Sequence, residues 1–99
     1  MDTFTLYVAL RAEGRLDDAA VDAVAGALRP DDEQLCLWRD EDDLTRLRVS
    51  LDCAAADLEA ALELGHELAA ETCGLRPGLT AEEVVAMSDE DQLVWRARP

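Results

Sequence analysis

Apolar and polar residues alternate through residues 3–11. Phe4, Leu6, Val8 and Leu10 fall on one side, and Thr5, Tyr7, Ala9 and Arg11 on the other. A period of two is the mark of a strand with one buried face. Residues 44–51 repeat the design, with Leu47, Val49 and Leu51 against Arg46, Arg48 and Ser50. Between these strands the period lengthens. Val21, Val24 and Leu28, with Ala20 and Ala27, form a stripe at helical spacing. Asp17 or Asp18 is suited to cap that helix, and Pro30 ends it, because the residue before a proline avoids the helical region. Residues 34–39 form a short second strand, and the acidic connection 40–43 makes a hairpin with the third. Its loop length decides the facing. A four-residue loop places Cys36 beside Leu47, both inward. A five-residue or bulged loop pairs Leu37 with Leu47 and turns Trp38 outward. A shift of one residue exchanges the faces of the whole strand. The reading favours Leu35 and Leu37 inward.

After the third strand, Asp52 is positioned to cap a second helix over residues 53–73. Leu58, Ala61, Leu62, Gly65, Leu68 and Ala69 supply its core stripe, and Glu59, Glu63, Glu67 and Glu71 recur every four residues as an acidic ridge. Gly74 fits the residue just past the helix, and Pro77 and Gly78 fit the centre of a type II turn. Residues 82–87 form a fourth strand. The tail admits two readings. Ser88 as a cap, acids at 89–91 and Arg96 and Arg98 at the far end suit a short helix over 88–97. The alternative is a strand over 92–97 paired back on strand four.

The resulting order is strand, helix, strand, strand, helix, strand, followed by the tail. Two split βαβ units with right-handed crossovers give an antiparallel sheet with both helices on one face. This order resembles the ferredoxin-like α+β sandwich, a four-stranded sheet with strands one and three central and strands two and four at the edges. Size and composition are similar to those of small uncharacterised ferredoxin-like proteins of GC-rich actinobacteria. Residues 1–99 then make one domain, with 88–99 as a tail element. The resemblance rests on element order, so it transfers no functional residue.

Charge narrows the partners. Nine cations stand against 23 acids, for a formal net charge of −14. Such a field repels phosphate backbones and anionic lipid, so nucleic acid and membrane surfaces are not expected partners. Every cation is arginine, as GC-rich coding favours. The first residues carry no basic or apolar leader pattern. Cys36, Cys53 and Cys73 have no CxxC spacing, which suits reduced thiols and a cytoplasmic protein rather than disulfides or zinc.

If the helices cover the apolar sides of strands one and three, the open face shows Tyr7, Arg11, Arg46 and Arg48, with Trp38 at its margin. Arginine offers a planar fork for carboxylate or phosphate. The competing reading is a solvated face whose arginines pair with neighbouring acids, or a face covered by a second subunit or by the tail. A polar face is a poor lining for the apolar cavities of barrel enzymes. Without aromatics on strand three it is also a poor platform for RNA bases.

Other constellations carry less. Glu63 and His66 form an ExxH on the second helix, but di-iron sites need a second such motif and the chain has one histidine. A nucleophile lacks a base, although Cys53 near a helix start would be activated by the helix dipole and opposed by Asp52 and Asp57. The acidic clusters lack the glycine turn of a calcium loop. The sequence therefore points to a non-catalytic binding or regulatory module with no cofactor or metal. It is expected to be a homodimer joined through the open face or an edge strand. The open face is read as the site for a small anionic ligand or a protein partner. The alternatives are a small dimeric enzyme with a pocket between sheet and tail, and an acidic subunit docking a basic protein through the glutamate ridge.

Overall fold

The computed structural model describes residues 2–98. The elements are β1 (Asp2–Arg11), α1 (Asp18–Ala27), β2 (Leu35–Arg39), β3 (Arg46–Ala55), α2 (Leu58–Gly74), β4 (Thr80–Met87) and β5 (Gln92–Arg96). All strands pair antiparallel, in the order β2-β3-β1-β4-β5. Phe4, Leu6, Val8 and Leu10 of β1 share one core with Leu47, Val49 and Leu51 of β3 and Val84 and Ala86 of β4. Ala20 and Val24 of α1 and Ala61, Leu68 and Ala69 of α2 pack into it, with Leu16, Leu28, Ala55 and Leu79. Both helices therefore cover the face that the alternation marks as apolar.

The four-stranded ferredoxin-like sandwich is overturned by this sheet. It has five strands, β4 is interior, and the edge on that side is β5. The helix over 88–97 does not form. Ser88 closes a tight turn instead, its N–H donating to the Asp91 carbonyl at 2.9 Å and its hydroxyl accepting from the Asp91 N–H at 3.2 Å. The chain then returns along β4, with Leu93 and Trp95 opposite Ala86 and Val84 on the helix side. Trp95 packs edge-on against His66 of α2, the ring centroids 5.0 Å apart. The tail thus widens the sheet and leaves its open face uncovered.

A second correction concerns the start of α2. Asp52 does not cap it. β3 runs on to Ala55 because the ten residues of β1 pair along its whole length, from Asp2 opposite Ala55 to Arg11 opposite Arg46. Asp52 lies in the strand and accepts a hydrogen bond from the Thr5 hydroxyl at 2.8 Å. Asp57 is the cap, extended at φ −157° and accepting from the Ala60 N–H at 2.8 Å. Asp17 caps α1 in the same way through the Ala20 N–H at 2.8 Å. Two smaller expectations also fail: Ala27 is exposed, and Gly74 ends α2 without a positive φ. Gly78 takes φ +87°, as the second central position of a type II turn requires.

In the β2–β3 hairpin Leu35 and Leu37 face inward and Cys36 and Trp38 outward. The partners differ from the expected pairing: Leu37 lies opposite Val49, not Leu47. The connecting loop is longer than the sequence reading allowed, because residues 44 and 45 belong to it. The Asp43 carboxylate holds this loop by accepting from the N–H and hydroxyl of Thr45 at 3.0 and 2.6 Å.

Candidate functional site

The open face is built row by row. The first row sets Arg46 beside Arg11 and Thr80, and the next runs Trp38, Arg48, Ala9, Glu83, Arg96 across all five strands. A third runs Cys36, Ser50, Tyr7, Val85, Val94. One end of the face is therefore charged and its middle is mostly apolar. Tyr7 and Val94 are exposed in the middle, and Trp38 in the row beside it.

A β-bulge sets the charged end. The pairing of β1 with β4 shifts between Ala9 and Leu10, so Ala9 faces Glu83 while Leu10 faces Ala81. Glu82 is the extra residue. A bulge lets two successive residues share one face and re-aims their side chains. Glu82 reaches Arg11 and Arg46, the latter at 3.0 Å, and Glu83 pairs with Arg96 at 2.7 Å. The loop 40–43 also returns onto this face. Asp43 accepts from Arg11 at 2.8 Å, and Asp40 accepts from Arg48 Nε at 3.0 Å and stands 2.9 Å from its Nη2. The sequence brings the three expected arginines together, and the fold supplies each with a carboxylate.

Protonation follows this geometry. Hydrogen bonds from Arg11 hold the Glu82 carboxyl below its ordinary range. Thr45 and then Arg11 do the same for Asp43, and the Asp42 N–H and then Arg48 for Asp40. The Arg11 guanidinium is pushed further up by Glu82 and Asp43. All four groups are charged near neutrality.

The ion pairs leave donors over. Arg11 spends Nε on Glu82 and Nη1 on Asp43 and Thr45, so its Nη2 group has no protein acceptor among the described residues. Arg48 spends Nε and Nη2 on Asp40, which leaves Nη1. Both border an open depression of about 640 Å³, lined also by Arg46, Glu82, Glu83, Arg96 and Arg98. Arg98 makes no ion pair among the described residues. Among the described residues five arginines stand there against Glu82, Glu83 and the flanking Asp40 and Asp43, a sum of one positive charge on a chain of net charge −14.

Tyr7 and Trp38 share the open face but do not line the depression. Asp40, Asp43, Glu82, Arg96 and Arg98 were missed as members of this cluster. The acids read as solvated loop and strand residues, and the two arginines as the end of a helix. Elsewhere, His66 lies against Trp95. No three His, Cys, Asp or Glu side chains among the described residues could together hold a metal ion. Cys53 sits within β3, not at a helix start. Burial and then Asp52 push its thiol up, and burial does the same for Cys73. No family model, curated protein or solved structure matches this chain. Among the described residues no helix is long and apolar enough to cross a membrane.

Proposed function

We propose that this chain is a non-catalytic binding module that takes a carboxylate- or phosphate-bearing ligand at the charged end of the open sheet face. The supporting observation is that Arg11 and Arg48, whose Nη2 and Nη1 groups are left without a protein acceptor among the described residues, line one depression with Arg98. Arg11 and Arg48 are already oriented by Glu82, Asp43 and Asp40. Holding the donors in place lowers the ordering cost of binding. A ligand carboxylate can accept from these edges without breaking the pairs behind them, and charge-assisted bonds of this kind are the strong ones.

Titration of ¹⁵N-labelled protein with citrate and, separately, with inorganic phosphate tests the reading. Saturable shifts at the Nε–Hε signals of Arg11, Arg48 and Arg96 are expected, and their loss in Arg48→Ala/Arg98→Ala. Shifts that fail to saturate, or that persist unchanged in the double variant, refute the site.

A further inference from the structure

The outer edge of the sheet is self-complementary. The Ala97 N–H donates to the Glu82 carbonyl and the Ser88 N–H to the Asp91 carbonyl. Those two bonds set the phase of the β4–β5 ladder. Leu93 and Trp95 turn their backbone groups toward β4, and Gln92, Val94 and Arg96 turn theirs outward. Such a row of open N–H and C=O groups is a template for another strand. The β5 edge is blunted only at one end, where the Asp91 carboxylate accepts from the Gln92 N–H at 2.8 Å. At the opposite edge, the Arg39 side chain of β2 bonds the Leu16 carbonyl at 2.6 Å and pairs with Asp18 of α1 at 3.0 Å.

We infer that β5 pairs antiparallel with β5 of a second copy, about a twofold axis at Val94, to make one ten-stranded sheet. The register follows from the residues. With Val94 opposite Val94, Gln92 meets Arg96, so the paired residues are those whose groups point outward, with the Gln92 N–H released from Asp91 to complete its pair. Leu93 meets Trp95 on the helix side, an apolar cross-strand pair. Glu90 of the turn meets Arg98, and the twofold makes that contact twice. Neither Glu90 nor Arg98 has an ion-pair partner among the described residues of its own chain. A shift of two residues either way would keep the bond phase but would part Glu90 from Arg98 and replace the Leu93–Trp95 pair with Leu93–Leu93 or Trp95–Trp95. The pairing also sets Gln92 of the second copy beside Arg96, so the second copy supplies part of the rim of the arginine depression. The interface is small, in the class of weak association, and the net charge of each chain opposes it at low ionic strength.

Sedimentation equilibrium over a concentration series at physiological ionic strength tests the pairing. Wild type is expected to dimerise reversibly. Val94→Pro removes the N–H at the twofold axis but none of the β4–β5 ladder bonds, since proline is tolerated where the N–H faces outward. It should keep the monomer's circular dichroism and lose the dimer. Arg98→Glu sets like charges together twice and should weaken the dimer by roughly five- to tenfold, and Glu90→Arg/Arg98→Glu should restore it. Amide hydrogen exchange at Val94 and Arg96 should slow as concentration rises. A wild type that stays monomeric overturns the inference. So does a dimer untouched by Val94→Pro, or one in which those two amides stay fast. These readouts need no ligand, so the anion site can fail without affecting them.

Discussion

Gly65 of α2 is where helix and sheet come closest. A β-carbon built on it would lie 2.6 Å from Val84 Cγ1 of β4 and 3.9 Å from Leu6 Cδ2. The second distance is an ordinary contact and the first is not. Val84 is fully buried in an interior strand and β-branched, so it has little freedom to turn away. Gly65→Ala thus sets two effects against each other. Alanine is favoured over glycine in a helix interior by about 1 kcal/mol. Forcing one carbon into a filled core costs about 1–3 kcal/mol. The expected outcome is a loss of up to about 2 kcal/mol, and at about 4–8 °C per kcal/mol for a domain of this size a clear drop in Tm. In a Val84→Ala background the blocking methyl is gone, and the same substitution should stabilise by about 1 kcal/mol. A double-mutant cycle by urea denaturation, with m unchanged across the four proteins, measures the reversal. Equal effects of Gly65→Ala in both backgrounds, or stabilisation of the otherwise wild-type chain, would refute the packing argument.

Three further outcomes follow from the same structure. Asp57→Ala should cost about 1 kcal/mol in urea denaturation by leaving the Ala60 N–H without its acceptor, whereas Asp52→Ala, off the helix, should not weaken α2. Asp40, Asp43, Glu71 and Glu82 are all held below their ordinary values in the folded protein. Their contribution is complete above the unfolded values near about 4 and is lost as pH falls through the folded ones. The urea midpoint should therefore decline on acidification below about pH 5, less steeply in Asp43→Asn. Thiol titration with a disulfide reagent should show one fast cysteine, the exposed Cys36, and two slow ones, Cys53 and Cys73. Loss of a slow phase instead of the fast one in Cys36→Ser would contradict the assignment.

Alternation made β1 and β3 readable because one face is buried from Phe4 to Leu10 and from Leu47 to Leu51, and the same pattern placed Arg11, Arg46 and Arg48 on the other face. The start of α2 was not readable, because Asp52 and Asp57 are both competent caps. The choice between them was made by the length of β1, which keeps β3 extended as far as Ala55. The tail failed for a related reason. Its charges suit a helix, but residues 92–96 find an open edge of β4, and strand formation follows that context more than local preference. The acids of the candidate site were hidden by phase. Alternation carried back from Val84 puts Glu83 outward and Glu82 inward, and only the bulge turns Glu82 out. Asp40 and Asp43 sit in a charged loop whose sequence does not say that it folds back over the sheet.

The bulge makes the charge of this face a matter of chain length. Removing Glu82 alone would leave Thr80, Ala81, Glu83 and Val84 in regular out-in-out-in alternation, so β4 could close up into an unbroken ladder against β1. The deletion would strip Arg11 and Arg46 of their shared carboxylate and would not by itself expose a buried residue. Loss of a single codon at this point would thus raise the charge of this cluster from one positive charge to two while the fold stays the same. It makes position 82 the place where related chains could diverge in what they bind.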